Sequence, residues 1–147
     1  IVVWDMSTGE VFKQIGGHGG TITSLRFAPD GRYLISTSDD STLRVWDLPG
    51  FKRKLKIRDH SSIVTCSSFS PDGRLVVSGG EDRLVVIRRS DDFEEVAALS
   101  GHREGVVGAL FSHDARSLLT LGRDGLVVMY GFQGQANETV SLSFNDG

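Results

Sequence analysis

One interval governs this sequence: 42 residues. His18, His60 and His102 are separated by it. Trp4, Trp46, Arg88 and Tyr130 keep the same step, the last three each lying 28 residues beyond a His. Phe27, Phe69 and Phe111 fall nine residues after the His, and Asp40, Asp82 and Asp124 fall 22 after it. Four registers in phase, without a gap, are not a chance pattern. A chain with such a period builds one structural unit per repeat and buries the unit's apolar faces against its neighbours.

Each unit reads as short strands divided by turns. Ile22–Phe27 is strand-length, and Pro29-Asp30-Gly31 follows as a turn in which Pro pre-sets φ and Gly supplies the left-handed position. Tyr33–Thr37 is the next strand, Asp39-Asp40-Ser41 the next turn, and Thr42–Trp46 alternates with period two. The second unit repeats this over Ile63–Phe69, Leu75–Ser78 and Leu84–Ile87, and the third over Val106–Phe111, Ser117–Thr120 and Leu126–Tyr130. A further strand lies between units at Val11–Ile15, Leu55–Ile57 and Glu95–Leu99. No stretch keeps a helical period over ten residues, so the fold class is all-β with about four strands per period. That is the unit of a β-propeller blade.

Composition adds exclusions. With 39% hydrophobic and 24% charged residues over 147 positions, the chain has an ordinary globular make-up. Its net charge of −3 rules out a basic field over the whole protein. One cysteine, Cys66, makes no internal disulfide, and no Cys/His cluster has zinc spacing. Cys66 reads as a small buried hydrophobe in a reducing compartment. No apolar run is long enough to cross a membrane as a helix. The chain opens on Ile1-Val2-Val3-Trp4 with neither Met nor a signal peptide, and is expected to be a segment of something longer.

Over residues 1–131 the chain resembles the WD40 family. The resemblance rests on Gly17-His18, Gly101-His102, the turn Asp40, Trp4-Asp5 and Trp46-Asp47. It implies a WD40 β-propeller in which each repeat begins with the outer strand of one blade and ends with three inner strands of the next. Residues 1–5 then end one blade, and 6–47, 48–89 and 90–131 are three repeats. Residues 132–147 form a polar linker, with Val140–Phe144 as an outer strand of the next blade. About three and a half blades make an incomplete ring, so the remaining blades are expected elsewhere in the same protein or in a partner chain. Asn137-Glu138-Thr139 fits a glycosylation acceptor by coincidence only.

His18, Ser36 and Asp40 have the composition of a catalytic triad. The set recurs as His60, Ser78, Asp82 and as His102, Thr120, Asp124, whereas a catalytic triad occurs once. The resemblance implies a structural network instead, running from Asp40 to His18, to Ser36 and to the Trp46 indole. Two units depart from the pattern. The second has Asp59-His60 and Arg88-Arg89, where Arg88 is expected to donate to Ser78 while leaving the volume of an indole unfilled. The third ends in Tyr130-Gly131 and turns through His113-Asp114-Ala115, with His113 a solvated turn residue.

By resemblance the family is a rigid, non-catalytic interaction platform, with partners on the narrower face of the ring. The positions this picks out are Thr21, Thr23 and Asp39; Ile63, Thr65 and Glu81; and Gly105, Val107 and Arg123. A second candidate is Phe51–Arg58, where Lys52, Arg53, Lys54, Lys56 and Arg58 put five positive charges in eight residues. It reads first as a solvated edge strand protected from aggregation. The other reading is contact with RNA or an acidic partner, with Arg88-Arg89 adding charge nearby. Within the family, Trp46–Arg53 and Ser100–Phe111 are similar to the first propeller of a two-propeller subunit that helps assemble small ribosomal subunits. The expected function is therefore a non-catalytic scaffold within a multi-subunit assembly, in cytoplasm or nucleus, needing no cofactor or metal. The alternative is an RNA-processing subunit whose basic strand meets RNA.

Overall fold

Short strands rich in β-branched and aromatic residues, several of them alternating with polar ones, are divided by turns carrying Asp or Gly, so the chain folds back on itself. The computed structural model describes residues 1–133 and 141–144. These contain fourteen strands and no helix. β1 (Val2–Trp4) and β2 (Val11–Gln14) form a two-stranded antiparallel sheet. The first full blade is β3 (Ile22–Phe27), β4 (Tyr33–Ser38), β5 (Leu43–Asp47) and β6 (Lys52–Ile57), hydrogen-bonded in that order. The second is β7 (Val64–Phe69), β8 (Leu75–Gly80), β9 (Leu84–Arg89) and β10 (Glu95–Ser100). The third is β11 (Val106–Phe111), β12 (Ser117–Gly122), β13 (Val127–Gln133) and β14 (Ser141–Phe144).

The resemblance implies that Val140–Phe144 is the outer strand of a following blade. Ser141–Phe144 instead pairs with β13, Leu142 opposite Phe132, and is the fourth strand of the third sheet. An exposed β13 edge offers unpaired backbone groups, and this strand is the nearest in sequence that can satisfy them. Val140 and the polar stretch 134–140 lie outside the described residues.

The core lies between sheets. Ile15, Leu34 and Trp46 join the first sheet to the first blade. Ile35, Val45, Val76 and Phe93 fill the first seam between full blades, where Phe93 meets Tyr33 edge-to-face at 5.5 Å. Val77, Ile87, Leu118 and Tyr130 fill the next. The innermost strands β3, β7 and β11 are neighbours. Each bulges at the same place, between Ile22 and Ser24, Val64 and Cys66, and Val106 and Gly108. The outward face of the third sheet leaves Leu110, Leu119, Leu121, Val127 and Met129 exposed. No helix of the described residues is long and apolar enough to cross a membrane.

Candidate docking rim and its structural frame

Three His–hydroxyl–Asp sets lie at the same end of the three blades. His18 Nδ1 is 3.0 Å from Asp40, and its Nε2 is 2.8 Å from Ser36 Oγ, which also accepts from the Trp46 indole N–H at 2.9 Å. A carboxylate only accepts, so Nδ1–H donates to Asp40 and Nε2 accepts from Ser36. The chain from indole to carboxylate then uses every donor once, with a neutral imidazole. Burial of His18 lowers its pKa, opposed by the Asp40 hydrogen bond. Asp40 is pushed up by burial, yet donors from Thr42, Gly19 N–H and His18 hold it far below the usual carboxylate range.

The second set repeats the geometry with His60 to Asp82 at 2.9 Å and to Ser78 at 3.0 Å. The third has His102 to Asp124 at 3.2 Å and to Thr120 at 2.8 Å. His60, Ser78, His102 and Thr120 are buried.

Arg88 does not reach Ser78, against expectation. Its Nε donates to Asp59 Oδ2 at 2.7 Å, its Nη2 lies 2.6 Å from Asp59 Oδ1, and its Nη1 donates to the Phe93 carbonyl at 2.5 Å. A carboxylate at Asp59 is a stronger, bidentate partner for guanidinium than a hydroxyl. The expected vacancy is also absent, because Phe93 is buried in that seam. Phe93 lies one period after Phe51, and both take positive φ, a register that the sequence carried unnoticed.

The two departures are linked. A side chain at Gly17 would strike the Arg44 guanidinium and approach the Trp46 ring at 3.8 Å, and one at Gly101 would strike the Tyr130 hydroxyl. Glycine precedes the His where a ring fills the seam, and aspartate precedes it where arginine does. Burial pushes the Tyr130 phenol up, partly offset by a hydrogen bond with Thr120.

The expected docking positions divide into two groups. Thr23 Oγ1 donates to the Val64 carbonyl at 2.5 Å, and Thr65 Oγ1 shares its single proton between the carbonyls of Gly79, at 2.9 Å, and Val106. Both hydroxyls are therefore engaged in bonds that reach the next blade. Glu81 and Arg123 form one ion pair across adjacent blades at 2.6 Å. Gly105 is buried against Glu81. Thr21, Asp39, Ile63 and Val107 are exposed. Beside them runs an open groove of about 460 Å³, lined along the inner strands by Ser24, Arg26, Thr65, Cys66 and Val107 among others. Burial pushes the Cys66 thiol up, away from the thiolate a nucleophile needs.

The basic strand is β6, the outermost of the first blade. Lys54 is drawn to Asp47 at 3.6 Å and lies over the Tyr33 ring at 5.2 Å. Lys52, Arg53, Lys56 and Arg58 are exposed. Arg88 and Arg89 do not extend this patch as expected: Asp59 and Glu95 surround the first, and Asp91 and Asp92 surround the second. Among the described residues no group of three or more His, Cys, Asp or Glu is arranged to hold a metal ion.

Comparison with known proteins agrees with this architecture. The family model for the WD domain, G-beta repeat, matches residues 9–47, 51–88 and 93–131. The U3 small nucleolar RNA-associated protein 21 of Saccharomyces cerevisiae is 51% identical over 49 residues, covering 33% of this chain and 5% of that protein. The periodic tryptophan protein 2 homolog of Neurospora crassa is 42% identical over 48 residues, again 33% of this chain and 5% of that protein. The solved structure of U3-55K superposes with a TM-score of 0.76 at 26% identity, covering 79% of this chain and 37% of that one. This chain thus spans about 5% of the length of these two curated relatives. With three matched repeats across most of its length and the blades to go with them, the chain belongs to the WD domain, G-beta repeat family.

Proposed function

We propose that this chain is part of a non-catalytic WD40 propeller that holds other proteins together in a multi-subunit assembly in the nucleus or cytoplasm. The observation that carries this reading is the division of labour at the His-bearing end of the blades. The His, Ser/Thr and Asp groups that could do chemistry are mostly buried and bound to one another, while Asp39, Ile63 and Val107 face solvent beside the inner-strand groove. An aliphatic pair on a polar rim suits a protein surface, where a few apolar anchors supply most of the affinity. The exposed leucines on the third sheet support ring closure by further blades, in the same protein or a partner.

The test is affinity purification of the intact protein with mass spectrometry, comparing wild type with Ile63→Arg and Val107→Arg. Loss of a set of partners that survives ribonuclease is the expected result. An unchanged set in both variants removes the rim from the function.

A second reading is favoured by β6. Four exposed cations with no acidic partner suit phosphates, and similarity to a protein named for its association with small nucleolar RNA supports an RNA-processing assembly. Partners that vanish with ribonuclease would promote this reading over the first.

A further inference from the structure

The first blade differs from the other two by positive charge gathered on one flank, one arginine buried and three cations exposed. Arg44 on β5 stands directly opposite Lys56 on β6, where the second blade pairs Val86 with Ala98. Like charges opposed across a ladder are unfavourable without an anion to separate them. Arg53 stands opposite Trp46, on the same face, and side-chain alternation brings Arg58 to that face too. This is the flank that looks toward the β1–β2 sheet, because Trp46 packs there with Ile15 and Val3.

Arg44 is 2% exposed, and its Nε and Nη1 have no hydrogen-bond partner. Its one acidic neighbour, Asp40 at 3.6 Å, already accepts from His18, Gly19 and Thr42. Burial lowers the Arg44 pKa, Asp40 opposes this, and Arg53 and Arg58 add to it, so the positive field on this flank is largely uncompensated. Next to it stands an aromatic feature. Phe12 on β2 is 63% exposed and meets Phe51 edge-to-face at 6.5 Å. Lys13 donates to the Gly50 carbonyl at 2.5 Å, which holds these rings beside Lys52 and Arg53.

We propose that this flank binds single-stranded RNA, with Arg53, Lys56 and Arg58 meeting phosphates and Phe12 presenting a face for a base to stack on. Cations along an extended track with an adjoining exposed ring are the combination that single strands require. Buried Arg44 strengthens the local field without touching the ligand. The proposal rests on the RNA reading of the basic strand and assigns it a place and a set of contacts.

The experiment is fluorescence anisotropy of a labelled oligouridylate with the intact protein over a range of salt. Three phosphate contacts give a slope of log affinity against log salt of about −2. The double variant Arg53→Gln/Lys56→Gln is expected to flatten that slope by about 1.4. Phe12→Ala is expected to weaken binding by roughly 5- to 150-fold, the range for loss of one stacked base. Arg44→Val installs the residue found at this register in the other blades and is expected to cost about twofold through the lost field. Lys54→Gln, whose ammonium is held by Asp47, is expected to change little. No binding at low salt overturns the RNA reading and this inference together. Binding that ignores Phe12→Ala and the Arg53/Lys56 variant overturns this inference alone and leaves RNA contact to another surface.

Discussion

Trp46 and Arg88 sit one period apart and close equivalent seams, one blade apart, by opposite chemistry. At Trp46 the seam is apolar: the indole is 3% exposed against Ile15 and Leu34, and its single polar atom goes to Ser36. At Arg88 the seam is ionic, with a bidentate Asp59, a backbone carbonyl and Glu95 at 3.5 Å around a guanidinium. The apolar solution has glycine before the His, where φ is +135° and the Arg44 guanidinium takes the space of a side chain beside the ring. The ionic solution needs aspartate there. The residue before the His and the residue at the end of the repeat therefore change as a pair, and the His–Asp hydrogen bond is kept in both blades.

The largest expected effect comes from emptying the apolar seam. Trp46→Ala should destabilise the intact protein by about 4 kcal/mol in chemical denaturation, the usual cost of removing a buried aromatic. Arg88→Ala should cost less, about 2 kcal/mol, since its pair with Asp59 is partly open to water and lies between exposed and buried pairs in worth. A loss at Arg88 as large as that at Trp46 would mean the ionic seam is no weaker than the apolar one.

Exchange of the two solutions sharpens the comparison further. Asp59→Gly alone strands the guanidinium, and Arg88→Trp alone drives a ring toward a carboxylate, so each should cost about 2 kcal/mol. Together they convert the second seam to the first kind, and the pair should recover 1 kcal/mol or more, within the usual range of coupling between contacting residues. Strict additivity of the two changes would break the linkage.

Acid should act on the first blade through His18. Its folded pKa is lowered, mainly by burial, so the unfolded chain binds the proton first. Stability from this group is full above the unfolded value near 6.5 and declines as pH falls below it. Asp40, also depressed, contributes above about pH 4 and loses that contribution only in stronger acid. Thermal denaturation between pH 7.5 and 5 should therefore show a fall in Tm that His18→Asn, though less stable throughout, flattens. An equal slope in the variant would place the proton uptake on another group.

The smallest effect lies in the turns. Gly31 and Gly73 take positive φ, and Ala115 is forced to φ 57° at the same register of the third unit. Ala115→Gly should relieve left-handed strain and raise stability by about 0.5–1 kcal/mol, after the entropy that glycine adds to the unfolded chain. A loss of stability would show that the alanine methyl has a packing role.

The strands and their order were open to reading in the sequence because period-two alternation and turn residues recur three times, and errors in one unit are corrected by the others. Ile22–Phe27, Val106–Phe111 and the triple His–Asp spacing needed no tertiary information. Contacts between units were harder to read. Asp59 and Arg88 both break the pattern within one repeat, which was the available sign of their pairing, but spacing does not say that a carboxylate outcompetes Ser78. Thr23 and Thr65 look like free surface hydroxyls in a local pattern, and only packing shows that they donate to Val64 and Val106. Arg44 reads as one charge in an alternating strand, and its burial follows from the sheet packed over it.

The outer strand of each full blade comes from sequence that lies beyond the next repeat boundary: β6 closes the first blade, β10 the second and β14 the third. The unit that recurs in sequence and the unit that packs as a sheet are thus out of phase by one strand. For anyone cutting or splicing such a chain, a break after Trp46 or Arg88 removes an edge strand, whereas a break near Arg58 or Gly101 parts two finished sheets. The same offset bears on emergence from the ribosome. A blade's three inner strands wait, with an open edge, until the first residues of the following repeat arrive to cover them.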